Sequence, residues 1–235
     1  MTSLPHADLI DIGTKAMTVR VGIKPHFKDF TVHENLIRNS SAFFKEALSH
    51  ENDTDQPRIV QLPDCLNGMG GQFHIYQQWL YTGRLYTGKS ASEDNRRQEW
   101  TRLYGCYLLG DSIQDTNFMD VCMDAMVKWA DDCGKITQLE TRLDAVEIYK
   151  KTPETSPLRL LFVDLIVEVH DYDFWKAEKD HDFSYAFMRD MVIALAYKYQ
   201  SKTRKSRSLP PYKNSLGQSC HYHCRGDAPC YKSNG

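Results

Sequence analysis

The stretch GQFHIYQQWLYTG, residues 71–83, limits what this chain can fold into more than any other. Phe73, Tyr76, Trp79 and Leu80 fall at i, i+3, i+6 and i+7, one face of an α-helix, and Gly83 is placed to end it. From Gly83 onward the chain reads GRLYTGKS, residues 83–90, a letter-for-letter match to the phosphate-loop pattern G-x-x-x-x-G-K-[ST]. A phosphate loop needs a strand that delivers the chain to a glycine-rich bend, where successive N–H groups face the phosphates and a helix N-terminus adds its dipole. Here the preceding spacing is helical, and Leu85 and Tyr86 put bulk where backbone should approach a ligand. LLFVD, residues 160–164, echoes the magnesium-holding strand of nucleotide hydrolases, but it opens with Ser156-Pro157 and runs on at helical length. A nucleotide-binding enzyme is therefore only a remote alternative.

Around this helix the pattern is mixed. MTVRVGI, residues 17–23, alternates and is β-branched, and FKDFTVH, residues 27–33, reads as its hairpin partner across KPH. ENLIRNSSAFFKEALSH changes to helical spacing, with Ser40 or Ser41 capping the second of two short helices. RIVQL, residues 58–62, is a short strand closed by Pro63. Amphipathic helices are predicted over 94–109 and 112–131, with a corner at GDS, 110–112, where Asp111 or Ser112 caps the second. Further helical pattern covers about 136–151, 156–170 and 183–200. SKTRKSRSLPPYKNSLGQS has the composition of a linker, and no internal repeat is seen.

Apolar residues make up 41% of the 235 and charged residues 26%, ordinary for a globular chain. No run approaches the roughly 20 apolar residues of a membrane span, and the first residues lack a secretory pattern. The expectation is an intracellular protein, nuclear or cytoplasmic, without membrane contact. Cys65, Cys106, Cys122 and Cys133 fall in apolar or helical pattern and are expected as small buried thiols. An odd total of seven cysteines speaks against a disulfide framework. The net charge of −2 hides an asymmetry: residues 198–235 hold eight Lys/Arg against Asp227, leaving 21 Lys/Arg against 30 acids, or −9, on the rest. Such a basic tail is either simply solvated or reaches acidic partners, nucleic acid or an import receptor.

Several segments together resemble a BTB/POZ domain, especially its fungal branch: VRVG (19–22), FTVHENLI (30–37), NSSAFFKEAL (39–48), RIVQLPD (58–64), QQWLYTGRLY (77–86) and LYGCYLLGDSIQDTNFMDVCMDAM (103–126). They span residues 15–131, about half the chain. The resemblance implies an α+β fold in which Gly83 is the turn after a core helix, and a self-associating module that recruits protein partners to transcription complexes or ubiquitin ligases. Leu4, Leu9, Ile10 and Ile12 either join a homodimer surface or pack on their own domain. Cullin adaptors of the family carry a hydrophobic-x-acid triplet where this chain has Asn52, Asp53 and Thr54, so neither key side chain is present. Two departures concern local loops: Ala16 stands where the family usually has an aspartate, and GMGG, 68–71, replaces an acid-Pro loop.

Outside that span, CHYHCRGDAPC, residues 220–230, collects thiols and imidazoles suited to tetrahedral zinc. Cys220, Tyr222, His223 and Cys230 resemble the C-terminal Cys/His signature of fungal BTB proteins, with Arg225 in place of its second histidine. The candidate set is Cys220, His223, Cys224 and Cys230, with His221 as substitute; the alternative is a solvated tail with incidental thiols. Lys202, Arg204, Lys205 and Arg207 form a nuclear-import candidate of low specificity, and DNA binding has no groove-reading helix behind it. His33 has no identifiable nucleophile and is expected to hydrogen-bond to backbone; Trp79, Trp100, Trp129 and Trp175 are expected in packing. Asp131 with Asp132, and Asp171 with Asp173, read as helix-end and loop charges, so no active site is named. The organisation expected is an N-terminal segment 1–12, a BTB/POZ domain 13–131, a helical region 132–200, a basic linker 201–218 and a Cys/His tail 219–235.

Overall fold

A computed structural model describes residues 12–49, 58–88, 93–132, 141–177, 183–203 and 219–224. The fold is mixed α+β, with a three-stranded sheet flanked by helices. The chain divides into two compact units, Met1–Thr87 with Gly105–Phe118, and Gly88–Tyr104 with Met119–Gly235.

In the first unit, β1 (Ala16–Val21) and β2 (Lys28–His33) pair antiparallel, with Val19 opposite Phe30 and Met17 opposite Val32. β3 (Ile59–Gln61) lies parallel to β1 on its other side, giving the order β2-β1-β3. Met17, Val19 and Val21 alternate inward and are buried, as the period of two dictates. α1 (Glu34–Ser40) and α2 (Ala42–Ala47) follow β2. Ser41 is the residue that caps α2, accepting from Phe44 N–H at 3.3 Å and donating to Ile113 O at 2.5 Å.

α3 (Gly70–Thr82) is the helix expected from the aromatic spacing. Phe73, Tyr76 and Leu80 are buried, and Phe30 of β2 meets Phe73 with ring centroids 4.9 Å apart. Burying a side chain of this size stabilises by about 1.5–3 kcal/mol, so the aromatic face fastens the helix to the sheet. Trp79 is half-buried at the rim, 5.0 Å from the Phe118 ring.

The corner expected at Gly110–Ser112 is not there. α4 (Glu93–Ser112) runs through it, and Ser112 Oγ folds back on Leu108 O at 3.0 Å. The turn comes two residues later, where Gln114 adopts φ 55°. Asp115 then caps α5 (Thr116–Asp132), accepting from Phe118 N–H at 2.9 Å. Asp111 and Ser112 had the right chemistry for a cap, but Asp115 has buried donors waiting for it.

The second unit is helical among the described residues: the first part of α4, most of α5, α6 (Thr141–Lys151), α7 (Pro157–Val169), α8 (Tyr172–Ala177) and α9 (Tyr185–Thr203). Its centre is aromatic, with Trp100 5.1 Å from Trp129 and 6.4 Å from Phe162. α7 begins at Pro157 after Ser156, as its sequence predicts, and buries most of its length. The exception in character is Arg159, which is buried yet donates from Nε to Thr152 Oγ1 and from a terminal nitrogen to Tyr149 O, both at 2.9 Å, and also to Thr152 O. It thereby satisfies carbonyls at the C-terminal end of α6 that the helix itself leaves open. α8 has no counterpart in the sequence pattern; Asp171 caps it through Phe174 N–H at 3.1 Å. No described helix is long and apolar enough to cross a membrane.

Candidate functional site

Four places in the chain could carry function. The first is the phosphate-loop match. Gly83 has φ 64°, and its N–H bonds Trp79 O at 2.8 Å, so it is the left-handed C-cap of α3. The bend is thus fed by the carbonyl end of a helix, whose partial charge is negative, opposite to what a phosphate requires. Thr82 Oγ1 is occupied locally, donating to Gln78 O and accepting from Arg84 N–H. Lys89 and Ser90 lie outside the described residues. Asp164, the acid of the second echo, sits inside α7 and accepts from the Tyr222 hydroxyl at 2.7 Å.

The second is polar and buried. Asp115 is fully enclosed, and its carboxylate accepts from the Ser40 hydroxyl, from Tyr76 OH at 2.9 Å and from Phe118 N–H. Burial raises the carboxyl above its ordinary range, opposed by those hydrogen bonds. The phenol of Tyr76 is pushed well up by burial and by the adjacent carboxylate. The set joins α1, α3 and the start of α5. The His33 contact differs from the backbone bond expected: Tyr81 OH accepts from His33 N–H at 3.0 Å and lies 2.8 Å from His33 Nδ1.

The third is the C-terminal turn, Ser219–Tyr222 and the two residues after it. Tyr222 is buried against Asp164, His223 Nε2 lies 3.1 Å from Asp124 Oδ1, and Cys224 N–H donates to Asp120 Oδ1 at 2.8 Å. Nδ1 of His223 is 3.9 Å from Asp120 Oδ2. Burial raises the Asp164 carboxyl, while the bond from Tyr222 opposes the rise. His221 is exposed, its ring edge-on to Tyr222. Of the expected zinc set, the side chain of Cys220 and all of Cys230 lie outside the described residues. Among the described residues no three His, Cys, Asp or Glu side chains converge as metal ligands. Asp120 and Asp124, spaced i, i+4 on α5, were missed as partners of the tail; nothing in their own sequence pattern links them to a segment about a hundred residues away.

The fourth is the outer side of α9. Tyr185, Met188, Val192, Leu195 and Tyr199 are exposed, as are Ile193 and Tyr197, while Phe187 and Met191 face inward and are buried. On α6, Leu143 and Val146 are also exposed. Ser184 caps α9 through Phe187 N–H at 3.2 Å.

Several other expectations have outcomes. Cys106 and Cys122 are buried, but Cys65 is exposed, because it occupies a short 3-10 turn (Asp64–Leu66) whose inward position is taken by Leu66. Trp100 and Trp129 are buried, and Trp129 Nε1 donates to Arg96 O at 3.1 Å. Ile12 is exposed; Leu4, Leu9, Ile10, the triplet 52–54, Cys133, Arg204, Lys205 and Arg207 lie outside the described residues, and Lys202 is in the last turn of α9. Comparison with protein-family models gave no match, and comparison with curated proteins found none similar to the chain.

Proposed function

We propose that this chain is a BTB/POZ-type protein–protein interaction module that self-associates and recruits protein partners, and that it is not an enzyme. The module proper comprises about residues 13–131, with the helices beyond it as an interaction extension. The observation that carries the reading is the apolar side chain left uncovered on helical faces, above all the exposed residues of α9. A contiguous apolar surface of this kind marks an interaction site. The order of strand, hairpin, paired short helices, short parallel strand and aromatic helix supports the BTB/POZ reading, for which transcription complexes are the expected setting. Sedimentation velocity of the full chain over a wide concentration range, with proximity labelling in the source cell, tests it. A concentration-dependent dimer and a reproducible set of protein neighbours are expected. A monomer at every concentration, with no enriched neighbours, overturns it.

A further inference from the structure

We infer that the outer stripe of α9 is the self-pairing surface, and that its occupant is the α9 of a second copy running antiparallel. This rests on the self-association proposed above and adds where and in which orientation it occurs. Tyr185, Met188, Val192, Leu195 and Tyr199 are spaced 3-4-3-4, which aligns them in one seam along the helix. The seam extends over four turns, about 21 Å at 1.5 Å per residue. All five side chains are exposed, Tyr185 by 82%, Val192 by 61% and Tyr199 by 72%.

Three features favour a second copy. The stripe is nearly palindromic in chemistry about Val192: tyrosine lies seven residues to either side, and Met188 and Leu195, similar in volume, lie between. A two-fold axis through Val192 therefore sets tyrosine against tyrosine and Met188 against Leu195, the reciprocal pattern of an isologous contact. No charged residue falls in the seam, so two copies meet without like-charge repulsion; the nearest, Arg189, is turned to Glu154 and Asp190 at 3.6 and 3.2 Å. The area is also sufficient. With about 200 Å² for a tyrosine side chain and somewhat less for the aliphatic ones, the exposed parts give about 500 Å² per copy. Pairing that covered the whole stripe would bury at most about 1,000 Å² in total, the lower limit for a specific interface, so the dimer is reversible and concentration-dependent.

Sedimentation equilibrium on the full chain tests this with four variants, each checked for native helicity by circular dichroism. Val192→Lys sets two ammonium groups against each other at the axis and is expected to weaken dimerisation about tenfold or more. Tyr185→Arg and Tyr199→Glu are each expected to weaken it, and the double variant to recover, since an antiparallel partner places Arg against Glu. Wild-type dimerisation unchanged by Val192→Lys overturns the α9 surface but leaves self-association standing. Loss in both single variants without recovery in the double variant overturns the antiparallel orientation. A wild-type monomer overturns both this inference and the reading on which it rests. If Val192→Lys loses helicity, Leu195→Glu at the adjacent seam position replaces it with the same expected result.

Discussion

Asp115→Ala is expected to destabilise the protein by about 2–4 kcal/mol. The carboxylate is fully buried and caps α5, and loss of such a cap costs about 1 kcal/mol. It also accepts from Tyr76 OH at 2.9 Å, and a buried hydroxyl left without an acceptor costs about 1–3 kcal/mol. Ser40 contributes little, because it is only half-buried and can turn to water. The sum is a large share of the roughly 5–15 kcal/mol that holds a typical domain together. Asp115→Asn retains an oxygen for Phe118 N–H and should lose less. Because burial raises the Asp115 carboxyl, the folded chain binds its proton more tightly than the unfolded chain. Stability from this group is therefore greatest in acid and declines as pH rises from the ordinary aspartate value, about 3.9, through the raised folded one. The advantage of wild type over Asp115→Asn should narrow across that window. Urea unfolding followed by far-ultraviolet circular dichroism measures both effects. A loss below about 0.5 kcal/mol for Asp115→Ala, at unchanged m-value, would refute the reasoning.

Arg159→Ala should cost about 3 kcal/mol by leaving Tyr149 O and Thr152 O in a buried corner without a donor, and Arg159→Lys should restore only part, having no fork; thermal unfolding reads both. Gly83→Ala should cost about 1 kcal/mol from the left-handed backbone alone, since a Cβ there would meet nothing within 4 Å, and Gly83→Asn should cost less. Magnesium-ATP should give no thermal shift and Lys89→Ala no change; a saturable shift lost in that variant would restore the nucleotide reading. Tyr222→Phe should raise amide exchange over residues 219–224 by removing the bond to Asp164, and unchanged exchange would mean that packing alone holds the turn. Metal analysis of untagged protein decides between the zinc set Cys220, His223, Cys224 and Cys230 and a tail with incidental thiols: about one zinc per chain would establish the set, and less than about 0.2 would exclude tight structural binding.

What the sequence made legible was set by periodicity. Met17, Val19 and Val21 gave β1 its alternation, and Phe73, Tyr76 and Leu80 gave α3 its face; both patterns follow from local geometry that tertiary contacts only reinforce. Caps were less readable, because several residues near a helix start share the chemistry. Asp111, Ser112 and Asp115 could all cap α5, and the choice fell to Asp115 through Ser40 and Tyr76, which are distant in sequence. Arg159 was invisible for a related reason: inside an apolar run it suggests exposure, yet the open carbonyls of α6 give it a buried place. Residues 222–224 carried thiol and imidazole chemistry that pointed to metal, while the carboxylates that receive them, Asp120, Asp124 and Asp164, looked like ordinary helix charges. The exposed seam of α9 was hidden because the helix is apolar on its inner side as well, so spacing alone could not say which side meets water.

The anchoring of Tyr222 on α7, and of His223 and Cys224 on α5, ties one short turn to two helices at once. Removing residues 219–224 would therefore take a partner from each of Asp120, Asp124 and Asp164, three carboxylates on helices far from the turn in sequence. A truncation there is a change to the second unit itself, not the trimming of an appendage.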